Sequence, residues 1–175
     1  MTYIRFWIFF IVIFGSDLAT KVWVVKNSAD LRKFPIVVLD WIEGHESFLE
    51  FTYVTNPGAA WSMFSDYPQF LTALAAVALI AIFLFRRSLE LNKAPIQIIF
   101  GLICGGIAGN LSDRIFREPA AVVDFIDVFI PWLNYDYPIF NIADSGIFIG
   151  AFSYLFIGLM ESRREKLQVK AEKPL

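Results

Sequence analysis

Two stretches, residues 67–85 and 94–112, pass without a single Asp, Glu, Lys or Arg. An α-helix rises 1.5 Å per residue, so about 20 apolar residues cross the roughly 30 Å hydrocarbon core of a bilayer. Hydrocarbon offers backbone N–H and C=O groups no partner, so segments of this kind are helical. A third run starts between Ile139 and Ser145 and ends at Met160, before the polar ESRREK. A fourth is N-terminal, apolar through Ser16 and then interrupted by Asp17 and Lys21. The expected fold is a mainly α membrane protein with four transmembrane helices, near 3–25, 67–86, 94–113 and 139–160, in a single domain over 1–175. Composition agrees: 57% of residues are hydrophobic and only 18% charged, against about 25% in a soluble domain.

The same composition excludes other classes. A net charge of -2 and the lack of a basic block interleaved with aromatics give no nucleic-acid surface. Cys104 is the single cysteine, so no internal disulfide forms, and it reads as a small apolar helix residue. His45 is the single histidine and sits in the polar EGHES, as a surface residue would. Arg5 ahead of an apolar core resembles a secretory leader. Three further apolar runs argue instead for a retained first helix. No internal repeat is visible.

Lys and Arg distribution sets orientation. With both termini on one side, that side holds Arg5, Arg86, Arg87, Lys93, Arg163, Arg164, Lys166, Lys170 and Lys173. The other holds Lys26, Arg32, Lys33, Arg114 and Arg117. Both termini are therefore expected in the cytoplasm. In the long loop after the first helix, Leu49, Phe51 and Tyr53 alternate with Glu50 and Thr52, which predicts a short strand, followed by a turn at Pro57 and Gly58. Trp23, Trp41, Trp61 and Trp132 fall near span ends or in outer loops, as an interfacial aromatic belt does. Gly101, Gly105, Gly106 and Gly109 lie within one span, where small residues permit close helix packing.

Acids at a membrane edge are costly and mark function by default. Asp17 and Lys21, four apart on one helix face, are explained by a structural ion pair with Lys21 reaching outward. Asp113 and Arg114 in GNLSDR are read as pinning the end of the third helix, and Asp127 as solvated. Asp124 and Asp144 differ. Each is flanked by apolar residues, and no basic residue within several positions accounts for either. Two carboxylates sharing a half-dry site cannot both ionise easily, which yields an acid and a base at one pH. Asn56, Asn110 and Asn141 stand at expected membrane edges, where an amide can orient a carboxylate or hold a substrate backbone. Taken alone, such acids fit a proton-coupled transporter as well as an enzyme. Four spans without a repeat match transporter architecture poorly. A non-catalytic scaffold with purely structural pairs is the third reading.

Together, DLATK, NPGAAWSMF, GNLSDR, VVDFIDV and NIADS, in this order in a four-span chain, resemble the lipoprotein signal peptidase family, bacterial signal peptidase II. The resemblance implies an aspartyl endopeptidase of the bacterial inner membrane that cuts prolipoproteins just before a diacylglyceryl-modified cysteine. It implies Asp124 and Asp144 as the catalytic pair, with Asn56, Gly58, Asn110, Arg114 and Asn141 around the substrate or the pair. Asp17, Lys21 and Asp113 are carried over as structural support. It also implies a small extracytoplasmic β-sheet between the first and second helices. No metal or organic cofactor is expected, since two carboxylates and a water suffice. The expected partners are the lipidated substrate and membrane lipid, with no nucleic acid, and the expected state is a monomer.

Overall fold

The computed structural model describes residues 3–40, 47–59 and 62–171. His45, Trp41, Trp61 and Lys173, for which surface, interfacial or cytoplasmic positions are expected, lie outside the described residues. The first apolar run forms α1 (Ile4–Lys26), and the short α2 (Ser28–Leu31) follows it. Asn27 ends α1 by donating its side-chain amide to the Trp23 carbonyl at 2.8 Å. The other charge-free runs form α3 (Pro68–Leu84) and α4 (Ala94–Phe116). Each has a proline in its first turn, where the missing N–H costs nothing. The last run forms α5 (Ile142–Ala171).

Among the described residues, Ile4–Lys26, Ala94–Phe116 and Ile142–Gln168 are long and apolar enough to cross a membrane. Pro68–Leu84 is apolar but shorter than the 67–86 expected, at 17 residues. It closes ahead of Arg86 and Arg87, and a series of turns leads to Lys93. Helix α4 lies at the centre, packed by α1, α3 and α5. Its glycines explain the closeness. A Cβ at Gly101 would stand 2.6 Å from the Phe6 carbonyl oxygen, and one at Gly105 2.8 Å from that of Phe10. Gly106 faces the Ala143 carbonyl oxygen in the same way on the α5 side, and Gly109 lies against the Asp17 carboxylate of α1. Gly101→Ala is therefore expected to cost about 1–3 kcal/mol. Gly15→Ala, on an open face of α1, should cost nothing. Thermal unfolding in detergent compares them, and equal melting would refute the close-approach account.

The sheet corrects the sequence expectation. It has four antiparallel strands in the order β1 (Ile36–Leu39), β2 (Leu49–Asn56), β3 (Val122–Ile130) and β4 (Tyr135–Phe140). Only β1 and β2 come from between the first two long helices. The segment VVDFIDVFI before α5 supplies β3, whose inner half is buried on both faces and so shows no alternation to read. Val24, Leu31, Val123 and Phe125 form the core that seats the sheet on the end of α1. At the other end of the bundle a second core joins Leu91, Ile96, Ile99 and Phe100 to Tyr3, Phe6 and Ile157. The start of α1 and the later part of α5 thus lie together, away from the sheet.

Candidate active site

The site is assembled where α1 and α4 end, α5 begins and β3 crosses them. A helix starting in apolar surroundings leaves its first N–H groups without water, so they need protein acceptors. Asn141 and Asp144 meet that need reciprocally. The Asn141 side-chain oxygen accepts the Asp144 N–H at 2.9 Å, and Asp144 Oδ2 accepts the Asn141 N–H at 3.2 Å. This is a capping box with Asp in the third helical position. Asp17 of α1 takes another of these N–H groups, that of Ala143, at 2.9 Å.

Asp124 comes from β3, which pairs with β2. Phe51 lies opposite Ile126, but Val54 lies opposite Asp124, so β2 carries one extra residue between them. That bulge changes which side chains share a face. In an unbroken register Asp124 would face Tyr53 and share its side with Thr55. With the bulge, Asn56 becomes its diagonal neighbour and donates to Asp124 Oδ2 at 3.2 Å. The Asn56 side chain also organises the turn after it, accepting the Gly58 N–H at 3.0 Å. A Cβ at Gly58 would stand 2.6 Å from the Ser62 backbone, so only glycine fits there. Arg114 fixes the same turn by donating to the Gly58 carbonyl at 2.7 Å.

Beyond Asp124 the β4-side edge of β3 has no strand beside it among the described residues, and side chains complete it. Asp113 accepts the Val123 N–H at 3.1 Å, while Asn141 Nδ2 donates to the Val123 carbonyl at 3.3 Å. The same Nδ2 reaches Asp124 Oδ1 at 2.7 Å. One asparagine therefore binds both acids, Asp124 through its amide and Asp144 through its backbone N–H. Beneath them Lys21 is fully buried, which corrects the expectation that it reaches outward. Its ammonium lies within 2.9 Å of Asp17 Oδ2, Asp113 Oδ2 and Asn110 Oδ1. Asn110 in turn donates its amide N–H to Asp144 Oδ1 at 2.7 Å.

The ten residues singled out in the sequence thus fall into one connected cluster. Asp124 is 3% exposed, and its carboxyl is pushed up to about 7. Burial is the main cause and the nearby Asp144 charge the second, against hydrogen bonds from Asn56 and Asn141 and the charge of Lys21. Asp127, expected to be solvated, is half-buried on β3 with Glu50 opposite it.

Comparison with known proteins decides the family. The model of signal peptidase (SPase) II matches residues 9–160. The chain belongs to the signal peptidase II family. A lipoprotein signal peptidase of Shewanella baltica strain OS155 is 36% identical over 166 residues, covering 89% of this chain and 85% of the relative. That of Shewanella sp. strain MR-4 is 35% identical over 162 residues, covering 89% and 86%. A bacterial membrane enzyme solved by the in meso method at 2.3 Å resolution superposes with a TM-score of 0.71 at 30% identity, over 96% of this chain and 92% of the other. A second, solved at 1.9 Å, gives 0.65 at 31% identity, over 87% and 90%. This member of the signal peptidase II family is accordingly a membrane protease.

Three parts of the candidate site escape sequence reasoning. Arg117 binds Asp113 through Nε, and the spacing of four on α4 was the available signal. The backbone N–H groups of Val123 and Ala143 are the others, and they left no trace in residue identity.

Proposed function

We propose that the chain is an aspartyl endopeptidase that removes signal peptides from diacylglyceryl-modified prolipoproteins, cutting on the amino side of the lipidated cysteine. The observation that carries this reading is the Asn141 bridge, 2.7 Å from its amide to Asp124 and 3.2 Å from its backbone N–H to Asp144. In the reaction one carboxylate takes a proton from water as the water oxygen bonds to the scissile carbonyl carbon. The protonated partner gives its proton to the carbonyl oxygen. The resulting gem-diol collapses as the C–N bond breaks. Its nitrogen takes the first proton, and a hydroxyl returns the second to the partner acid. Both acids are restored. Asn56, Gly58, Asn110, Arg114 and Asn141 hold the pair and the substrate backbone, and Asp17, Lys21 and Asp113 support them.

The placement suits this substrate class. The sheet end of the bundle carries the cluster, and the opposite end carries the larger share of Lys and Arg. By the positive-inside rule, four spans with both termini in the cytoplasm then put the site at the extracytoplasmic face of the bacterial inner membrane. A peptide anchored by an apolar signal helix and a diacylglyceryl chain presents its scissile bond at that depth. The enzyme acts as a monomer. Purified protein in detergent is expected to cut a diacylglyceryl-modified prolipoprotein peptide before the modified cysteine and to leave the unmodified peptide intact. Mass spectrometry of the fragments checks both. Equal cutting of the two peptides, or a cut elsewhere, would overturn the reading.

A further inference from the structure

The two acids are held differently, and the difference begins at Lys21. An amide is directional, with a donor end and an acceptor end. Asn110 Oδ1 faces the Lys21 ammonium at 2.9 Å, so its NH₂ must face Asp144, where it donates at 2.7 Å. Flipping this amide would set NH₂ against the ammonium and C=O against the carboxylate. The other Asp144 oxygen accepts the Asn141 N–H, whose direction the backbone fixes. Asp144 also occupies the first turn of α5, where the helix dipole favours negative charge.

Asp124 has none of these biases to the same degree. It lies on a strand, and both its donors are side-chain amides, from Asn141 and Asn56. Asn56 Nδ2 is shared with the Ala59 carbonyl. The ammonium is one amide away from Asp144 but two away from Asp124, through Asn110 and then Asn141. The other charged groups around the pair are Asp17 on α1 and Asp113 and Arg114 on α4. Arg114 directs its hydrogen bonds to the carbonyls of Gly58 and Asn110.

We infer that Lys21 is a positioning residue that assigns the catalytic roles, fixing Asp144 as the carboxylate that takes water's proton and leaving Asp124 as the acid that donates one. The inference rests on the dyad reading above. Lys21 touches neither substrate nor the reacting atoms, and it acts through the Asn110 amide.

The test is the pH profile of kcat/KM on the lipidated peptide, whose acid limb reports the base and alkaline limb the acid, as apparent values of the pair. Asp17→Asn and Asp113→Asn each keep Lys21 but remove one of its counter-charges. In both, the acid limb should move down by about one pH unit, further than the alkaline limb. The double variant Asp17→Asn, Lys21→Met removes the ammonium without changing net charge, and its acid limb should move up by a similar amount. A purely structural role would lower the rate equally at every pH and leave the limbs in place. Unmoved limbs in either single variant, or a larger shift of the alkaline limb, would overturn the assignment. The single variants are near-isosteric, so they decide the matter even if the double variant does not fold. Failure of the dyad itself reads differently: activity would then persist when Asp124 or Asp144 is replaced.

Discussion

Asp124→Asn and Asp144→Asn are each expected to abolish cleavage of the lipidated peptide, a loss of roughly a thousandfold or more, because each would remove one half of the proposed acid–base pair. Folding has to be separated from chemistry, and the Asp124 environment supplies the means. Its carboxyl has an ordinary value of 3.8 and is pushed up to about 7 in the folded protein. The native state therefore holds a proton that the unfolded chain has released between these values. Stability from this group is fully present below pH 3.8 and is lost as pH rises through about 7. An asparagine there never ionises and escapes the loss. Asp124→Asn should consequently melt above the parent protein at pH 8, and the gap should close as the pH falls towards 4. Thermal unfolding at the two pH values checks this beside the cleavage assay. An inactive variant that is more stable at pH 8 has lost chemistry and kept its fold. Full activity in either asparagine variant would remove the dyad from the mechanism.

The acids themselves were legible because hydrocarbon-like neighbours make a charge conspicuous. Asp124 and Asp144 stand out in VVDFID and NIADSG for that reason alone, and charge-free runs likewise announce the long helices. What the sequence could not announce is geometry that depends on register. The bulge between Phe51 and Val54 decides whether Asn56 or Thr55 reaches Asp124, yet no glycine or proline marks it. Strand β3 escapes detection in the sequence because burial on both faces erases the period of two on which strand reading depends. The sequence points Lys21 outward because a long side chain near a helix end commonly takes that path. Its inward path is set by Asp113 and Asn110, some ninety positions away in the chain, and no local rule contains them. Asn141 was legible as a positioner of Asp144. Its second role, capping the open edge of β3 and holding Asp124, belongs to tertiary structure.

Lys21→Met has the largest expected effect on stability. The substitution fits the volume but leaves Asp17 and Asp113, whose side chains are 1% and 2% exposed, without the charge between them. Among the described residues Asp113 keeps Arg117 and the Val123 N–H, whereas Asp17 keeps the Ala143 N–H alone. Removing one partner from a buried ionic cluster costs about 3–5 kcal/mol, because the Asp17 charge left behind has neither water nor a counter-ion. The exposed pair of Lys93 and Glu90 is as short, at 2.7 Å against 2.8 Å for Lys21 and Asp17, but water screens it, and Glu90→Ala should leave the melting temperature almost unchanged. Distance alone would rank the two pairs together, and burial separates them. Neutralising one stranded acid, in Asp17→Asn with Lys21→Met, should restore more than half of the loss, although neither replacement makes a new ion pair. Denaturant or thermal unfolding in detergent measures all three. If Lys21→Met melts with Glu90→Ala, the buried cluster is not what holds α1, α4 and the start of α5 together.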